Sequence, residues 1–434
     1  MLKKNVYKGK RYIPKHCGVW DIKKEYESLS VVLWRGNSYT SKKDVPKNTN
    51  IDNEDYWVLS GIFNEQLELY RSDVKKFDNR IKNVESVKHE VEKARGNFFD
   101  LNSRLNFINN ITENESPNTF TQGTSFLCVN DINVDKYLLE NDETINIYKK
   151  CGIEEVLLTV TFEYANGKHS CNTSLDRISQ ASLKIQNNGI KVGLKIQDKG
   201  YESVTHENKN NWFNSKLLLM KSYLSVINNP SSINLGNEIP KLTSDDFYTE
   251  DFEIMYKSIK EIYPKITISF HSFFSEFYNG TFKPYKALDV VGINYYPYSS
   301  DNPVPTYEEV KKAIFKPING VVFFDTLEKI YKKYNKPFII SEYGTAGFEY
   351  QCMNPSTDFI PNESKVLNNE VQAIFMDSAC QVFPFIDNCK GLYLWSSNCY
   401  RPNNTPNERA WAWDLNPLTI QYISNSWRKN NNEI

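Results

Sequence analysis

The chain has 434 residues, which is enough for one large domain together with smaller ones. Its formal net charge is −1 at pH 7, so the charge balance does not indicate nucleic acid or an acidic membrane surface as a partner. The charged N-terminus is not followed by an apolar run, and no window approaches the roughly 18 to 20 apolar residues of a membrane span. We therefore expect synthesis in the cytoplasm without a signal peptide, and no membrane insertion.

The cysteines and histidines indicate neither a disulfide framework nor a metal site. The eight cysteines are scattered, form no C-x-x-C pair and mostly lie in apolar segments, which favours buried reduced thiols over disulfides. The five histidines never stand at metal-ligand spacing. The sequence also lacks G-x-G-x-x-G, P-loop and G-x-S-x-G motifs. It therefore predicts no metal and no cofactor.

Residues 1–60 are predicted to form a small β module. The run Val31-Val-Leu-Trp34 has strand character, Gly36-Asn37 is a tight turn, and Ser38-Tyr-Thr40 returns as a second strand. The module is rich in aromatic residues, which either bind sugar or fill a core too small to close otherwise. The core interpretation is favoured for most of them. They include Tyr12, Trp20, Tyr26, Trp34, Tyr39, Tyr56 and Trp57.

Several of these residues, in order, resemble a module known from phages. The matching strings are Gly18-Val-Trp20, Gly36-Asn-Ser-Tyr39, Val45-Pro46 and Tyr56-Trp-Val-Leu59. Such modules recur in tail proteins of phages that infect Gram-positive bacteria, and they are similar to chitin-binding-type modules. The resemblance covers the first seventh of the chain. It implies a docking role in a virion, against other tail proteins.

A long amphipathic helix is predicted over residues 61–111. Apolar residues from Phe63 to Ile108 recur at alternating steps of four and three, the seam of a coiled coil, with one phase slip between Val84 and Val87. The helix would be roughly 65 to 70 Å long. We expect it to pair with copies of itself, as a trimer first and a dimer second; the alternative is a helix folded back on the following domain. Residues 112–123 are predicted to be a linker.

Residues 124–434 alternate between strand-like and helix-like stretches. Eight β-α units in about 310 residues predict a (β/α)₈ TIM barrel, an α/β fold whose active site lies at the carboxyl ends of the strands. The predicted strands are Phe126–Asn130, Glu155–Phe162, Lys191–Gln197, Ile233–Glu238, Ile266–Phe270, Val290–Tyr295, Phe338–Glu342 and Leu392–Ser396.

Two of these strands end in a glutamate. Glu238 follows Asn237 at the end of strand four, and Glu342 precedes a glycine at the end of strand seven. A pair of carboxyl groups is what glycosidic bond cleavage needs, because one protonates the leaving oxygen while the other attacks the anomeric carbon or activates water. Close like charges also push the two pKa values apart, so that one group stays protonated. Either glutamate alone could be an ordinary strand-end carboxylate; the pair favours catalysis.

The constellation resembles the retaining glycoside hydrolases of clan A, whose catalytic glutamates lie on strands four and seven. The resemblance covers residues 124–434. It implies that Glu238 is the general acid/base, that Glu342 is the nucleophile and that Asn237 binds the 2-hydroxyl of the substrate. The motifs Gly-Asn-Glu-Ile and Asp-Val-Val-Gly-Ile-Asn-Tyr-Tyr-Pro are most similar to endo-acting galactanases and mannanases.

The same resemblance implies further substrate-binding residues. Tyr295, at the end of strand six, would donate to the nucleophile, and Trp395 would form the floor of the cleavage subsite. His271, after strand five, would line the cleft. Asn294 is a weaker candidate beside Tyr295.

Other polar strand ends give weaker signals. Glu163, Lys195, Gln197 and Asp198 end strands two and three. They could contact more distant sugar units, and each is about as well explained by a structural ion pair.

Together these features predict a phage tail or appendage protein, located in the virion, that binds the host receptor. Its barrel would hydrolyse a bacterial surface polysaccharide or teichoic acid with retention of configuration. One alternative is a barrel that binds host glycan without cleaving it. A second alternative, supported by the coiled coil alone, is a structural virion protein.

Overall fold

The computed structural model describes residues 13–62, 70–78, 80–82, 88, 120–316, 321–356, 366–397, 410 and 412–429. The chain divides into two compact units, Met1–Ala94 and Arg95–Ile434. Most of the predicted coiled coil and all but residues 120–123 of the predicted linker lie outside the described residues. Within the predicted coiled coil, residues 70–78 and 80–82 are helical, and Tyr70, Val74, Phe77 and Ile81 are exposed.

The first unit contains a four-stranded sheet in the order β1-β2-β3-β4. Strand β2 pairs with β1 in parallel, while β2–β3 and β3–β4 are antiparallel. The β2–β3 turn consists of Arg35 and Gly36, both with positive φ, one residue earlier than predicted. The strands are β1 (Lys15–Val19), β2 (Ser30–Trp34), β3 (Asn37–Ser41) and β4 (Trp57–Gly61).

Aromatic residues fill the core of this small sheet. Tyr26 and Trp57 are buried and meet edge to face at 5.3 Å between ring centroids. Trp20 and Trp34 are partly buried and pack against the same cluster. The predicted small β sheet is confirmed, and in it these rings serve as core.

The second unit is built on a closed barrel of eight parallel strands. Strand β5 pairs with both β6 and β13, which closes the ring, and β6 runs on to pair antiparallel with β7. The predicted (β/α)₈ barrel is confirmed. The strands are β5 (Thr121–Leu127), β6 (Glu155–Ala165), β7 (Lys168–Cys171), β8 (Lys191–Lys199), β9 (Ser232–Asn237), β10 (Thr267–Phe273), β11 (Val290–Asn294), β12 (Phe338–Tyr343) and β13 (Cys389–Ser397).

Helices follow the strands around the barrel. The longer ones are α1 (Glu143–Cys151), α2 (Leu175–Gln186), α3 (Lys209–Ser225), α4 (Thr249–Ile262), α5 (Tyr307–Phe315), α6 (Phe323–Tyr334), α7 (Asn369–Val382) and α8 (Pro417–Lys429). Shorter helical segments are Asp131–Val134, Asp135–Leu139, Pro240–Thr243 and Phe274–Tyr278. Single 3₁₀ turns are Tyr201–Ser203, Asp246–Tyr248, Tyr285–Ala287, Gln351–Met353, Phe383–Phe385 and Trp413–Leu415.

Local signals set several helix ends. The Ser174 side chain accepts the N–H of Arg177 at the start of α2, and Thr306 and Glu309 form a reciprocal capping box on α5. Gly152 ends α1 in the left-handed conformation.

The first barrel strand begins earlier than predicted. Strand β5 starts at Thr121, inside the predicted linker, rather than at residue 126. Its first half is polar, but Gln122, Thr124 and Ser125 are buried because neighbouring strands pair with it on both sides. The polar residues at the start of β5 therefore resemble a linker in sequence, although they belong to the barrel.

The amino-terminal end of the barrel holds a polar cavity of about 790 Å³ that reaches His271. At its wall Glu155 is buried and accepts hydrogen bonds from Ser231 (2.5 Å), Ser232 (2.6 Å) and Tyr393 (2.6 Å). This cavity lies at the opposite end of the strands from Glu238.

No helix among the described residues is long and apolar enough to cross a bilayer. The seven cysteines in the described part of the chain are free thiols.

Candidate active site

Glu238 and Glu342 lie at the carboxyl ends of the fourth and seventh barrel strands. Glu238 is the first residue after β9, and its φ of 52° lies in the left-handed region. Its N–H donates to the carbonyl oxygen of His271 on β10 at 2.9 Å. Glu342 lies within β12 and is 5% exposed. The two strands thus bring both predicted glutamates to the same end of the barrel, close enough for Glu342 to raise the pKa of Glu238.

The Glu238 carboxyl accepts a hydrogen bond from an uncharged amide. The amide Nδ2 of Asn294 donates to Glu238 Oε1 at 2.7 Å, and the Ser341 hydroxyl fixes that amide by donating to Asn294 Oδ1 at 2.8 Å. Burial and the Glu342 charge raise the pKa of Glu238 to about 7, although Asn294 and Lys195 favour the ionised form. A carboxylic acid with this pKa can hold a proton near neutral pH and release it, as a general acid requires.

Each oxygen of the Glu342 carboxylate has one partner, a hydroxyl on one and an ammonium on the other. The Tyr296 hydroxyl donates to Oε2 at 2.6 Å, and the ammonium of Lys195 contacts Oε1. The Lys195 side chain is wholly buried. These contacts hold the Glu342 carboxylate in a fixed orientation, which suits a nucleophile.

Tyr296, not Tyr295, contacts the proposed nucleophile, which corrects the sequence assignment. The Tyr295 side chain is buried, and its hydroxyl donates to the carbonyl oxygen of Ile314 at 3.2 Å. Side chains alternate between the two faces of a strand. Because Asn294 points into the barrel, Tyr295 points outward to the helices and Tyr296 points inward to Glu342. The alternation was visible in the sequence once Asn294 was placed inside.

Asn237 and Trp395 lie in the same region. The side-chain oxygen of Asn237 is 3.4 Å from Asn294 Nδ2, beside Glu238. The Trp395 ring is half-buried, and its centroid is 4.5 Å from the ammonium of Lys195, which in turn holds Glu342. An apolar ring at this place offers a surface to the C–H face of a sugar.

His271 is buried below the carboxyl ends of the strands and borders the amino-terminal cavity, contrary to the sequence prediction that it lines the cleft. It is 2% exposed, and its Nε2 is 2.9 Å from the Ser269 hydroxyl. Burial and the Lys195 charge lower the pKa of His271 well below 6.5, so the ring is neutral. The reason for the difference is strand length, since β10 continues to Phe273 and leaves His271 one layer below the strand end.

The weaker candidates separate into two groups. Lys195 and Asn294 belong to the site, whereas Glu163 is exposed in the β6–β7 hairpin opposite Ser170. No hydrogen bond or ion pair within the described part of the chain joins Glu163 to either catalytic candidate. The hairpin carries Glu163 beyond the barrel because β6 runs past the strand ends.

Asp198 supports the β9 strand end. Its Oδ2 accepts the backbone N–H of Asn237 at 3.1 Å, and its Oδ1 is 2.5 Å from the ammonium of Lys216 on α3. Both side chains of this ion pair are buried. Sequence reasoning missed Lys216, although a lysine four residues from Trp212 and four from Met220, on the apolar face of a helix, was a usable signal.

A third carboxyl group, Glu276, lies near Glu238. It is buried, and it accepts the Thr243 hydroxyl at 2.6 Å and that of Ser272. Burial raises the pKa of Glu276, and its charge contributes to the raised pKa of Glu238. No group of three histidine, cysteine or acidic side chains among the described residues could hold a metal ion.

Two solved structures of mannanases have similar folds. A GH113 β-1,4-mannanase gives a TM-score of 0.55 at 13% identity, covering 71% of this chain and 99% of that one. The GH113 β-mannanase AaManA from Alicyclobacillus acidocaldarius, in complex with ManMIm, gives a TM-score of 0.54 at 14% identity and covers 73% and 99%. No family model and no curated protein matches the sequence. At these identities the similarity shows the fold, a (β/α)₈ barrel shared with these glycoside hydrolases.

Proposed function

We propose that the barrel is a retaining glycoside hydrolase with Glu238 as general acid/base and Glu342 as nucleophile. The observation that carries the proposal is the contrast between their surroundings. Glu238 is in contact with an amide and has a pKa of about 7, whereas Glu342 is held by an ammonium and a phenol. Carboxyl groups whose surroundings separate their protonation states are the arrangement that acid/base and nucleophile roles require.

The first chemical step forms a glycosyl ester on Glu342. A carboxylate oxygen of Glu342 attacks the anomeric carbon, the glycosidic C–O bond breaks, and the leaving oxygen takes the proton of Glu238. In the second step Glu238 takes a proton from water, the resulting hydroxide attacks the anomeric carbon, and the ester bond breaks to regenerate Glu342. Asn237 would bond the 2-hydroxyl and Trp395 would support the sugar ring.

The proposed substrates are bacterial surface polysaccharides or teichoic acids, and the mannanase-like fold adds β-1,4-mannan to the compounds to test. Release of reducing ends should be measured for wild type, Glu238→Gln and Glu342→Gln on Gram-positive wall polysaccharides, teichoic acids and plant β-glycans. The exposed Glu163→Gln is the matched control. We expect cleavage by wild type and the control, with loss of at least 10³-fold in both active-site variants.

Binding of one glycan without cleavage by wild type would contradict hydrolysis. It would favour the alternative of a non-hydrolytic barrel used for attachment to the host.

We further propose that the protein acts in a phage tail or appendage and self-associates through its helix. The support for self-association is the exposed apolar series Tyr70, Val74, Phe77 and Ile81, whose steps of four, three and four match a coiled-coil seam. Light scattering should give a trimer, or else a dimer. Val74→Asp should dissociate it, whereas Lys75→Asp on the same helix should not. A wild-type monomer would refute self-association.

The N-terminal β module is proposed to dock to other tail proteins. Removing residues 1–94 should abolish incorporation into virions while leaving glycan cleavage by the barrel intact. Absence of cleavage by both the full chain and the truncated one, with incorporation lost on truncation, would favour a structural role for the whole chain.

A further inference from the structure

Lys195 crosses the inside of the barrel to reach the proposed nucleophile. It lies on β8, the third barrel strand, and Glu342 lies on the seventh, on the opposite side of the ring. The ammonium contacts Glu342 Oε1 and is 3.5 Å from the carbonyl oxygen of Ser341. The side chain of Lys195 is fully buried and that of Glu342 is 6% exposed. The two charges therefore interact with little screening by solvent.

The charged and titratable groups that face Lys195 come from three strands. Glu342 touches it from β12, Glu238 acts on it from the end of β9, and neutral His271 lies near it on β10. Burial lowers the pKa of Lys195, and both glutamates oppose that shift. Of these groups Lys195 is the cation, and it contacts Glu342 while its charge also acts on Glu238.

The proposed reaction moves one negative charge between the two carboxyl groups. Before reaction Glu342 is ionised and Glu238 is protonated. In the glycosyl ester the oxygen of Glu342 is bonded to the anomeric carbon and uncharged, while Glu238 has lost its proton and is ionised. A cation that interacts with both groups keeps a counter-charge in each state. It also stabilises the Glu342 carboxylate when the ester C–O bond breaks and the electron pair returns to the oxygen.

We propose that Lys195 is a positioning residue that holds Glu342 for attack and stabilises it as the leaving carboxylate, so that it controls the hydrolysis of the glycosyl ester. This proposal rests on the proposed function. If Lys195 were purely structural, replacing it would change only the amount of folded protein. The proposed role instead changes which chemical step limits turnover.

The test compares Lys195→Met and Lys195→Arg with wild type, using an aryl glycoside of the sugar that wild type cleaves. Lys199→Met, an exposed lysine of the same strand, is the control. We expect Lys195→Met to lower kcat about 100-fold, as for loss of one preorganised electrostatic contact. Aryl alcohol should appear in a burst, and mass spectrometry of the intact protein should detect the glycosyl ester. Lys195→Arg should recover part of kcat. A fall in kcat without a burst or ester would overturn the proposal.

A second measurement does not depend on activity. Infrared titration of the carboxyl groups, with Glu238→Gln as the difference reference, follows the apparent midpoint of Glu238 in each variant. Removing the cation should raise that midpoint by about one pH unit in Lys195→Met and leave it unchanged in Lys199→Met. An unchanged midpoint in Lys195→Met would overturn the proposal. Absence of turnover by wild type, with the midpoint shifted, would refute the proposed function while supporting the counter-ion role.

Discussion

The ends of β9 and β12 each place one glutamate at the site, and each depends on a buried lysine, but in different ways. At the β12 end Lys195 contacts the carboxylate of Glu342 directly. At the β9 end Lys216 acts indirectly. It pairs with Asp198, and Asp198 accepts the backbone N–H of Asn237. The direct ion pair fixes the reactive side chain itself, whereas the indirect one fixes the backbone that carries Glu238 and leaves its carboxyl in contact with an amide.

The largest expected effect comes from breaking the indirect support. Lys216→Met leaves Asp198 as a buried charge without its cation, which should lower the free energy of unfolding by about 3 to 5 kcal/mol. The control is Lys332→Met, whose ion pair with Glu328 is exposed and should contribute about 0 to 1 kcal/mol. Urea denaturation measures both. A loss below about 1 kcal/mol in Lys216→Met would mean that the ion pair does not support β9.

The protonated state of Glu238 predicts a pH-dependent stability. Its pKa in the folded protein is raised from 4.5 to about 7, so its favourable contribution is complete below pH 4.5 and is lost as the pH rises through 7. Glu238→Gln lacks this loss. Relative to wild type it should therefore gain up to about 3 kcal/mol between pH 4 and pH 8.

Denaturation of Glu238→Gln and wild type at the two pH values checks this gain. A constant difference in the free energy of unfolding would show that Glu238 titrates normally in the folded protein.

The two neighbouring tyrosines test the β12 end. Tyr296→Phe removes a hydroxyl that donates to the Glu342 carboxylate, and a hydrogen bond to a charged group contributes about 1.5 to 3 kcal/mol. We expect kcat/KM to fall by about tenfold to 100-fold. Tyr295→Phe removes a hydrogen bond to the carbonyl oxygen of Ile314 on the helical side and should leave kcat/KM unchanged.

Steady-state kinetics on the same glycoside decides between the two tyrosines. The opposite ranking would mean that Tyr295, as the sequence predicts, acts on the nucleophile.

The smallest effect is expected at Asn294. Its amide bonds to the Glu238 carboxylate and favours the ionised form, so Asn294→Ala should raise the pKa of Glu238 further above 7. The alkaline limb of the kcat/KM profile should then move to higher pH, because the acid keeps its proton longer. A shift to lower pH would mean that the amide stabilises the protonated form.

Sequence patterns predicted the parts of the site that follow from strand order. Counting strands placed Glu238 and Glu342 together, because the carboxyl ends of parallel barrel strands share one face. The same count brought Asn237 and Trp395 to that face. The Tyr295 error arose within a single strand, where one step of the alternation decides which side chain faces the site.

Contacts across the barrel could not be predicted in this way. Lys195 and Glu342 are far apart in the sequence and meet only because two opposite strands close a ring around a long side chain. The ion pair of Lys216 with Asp198 depends on how α3 packs against β8. Both pairings are set by tertiary geometry, which no spacing along the chain records.

The left-handed backbone at Glu238 bears on how the residue at position 238 would evolve. A residue other than Gly, Asn or Asp costs about 1 to 2 kcal/mol in that conformation. A buried carboxyl at the same position adds a second penalty above pH 7. In a lineage whose protein only binds glycan, substitution of Glu238 by Gly or Asn would remove both penalties at once. The residue at this position in homologous chains should therefore separate lineages that still hydrolyse from those that have lost the reaction.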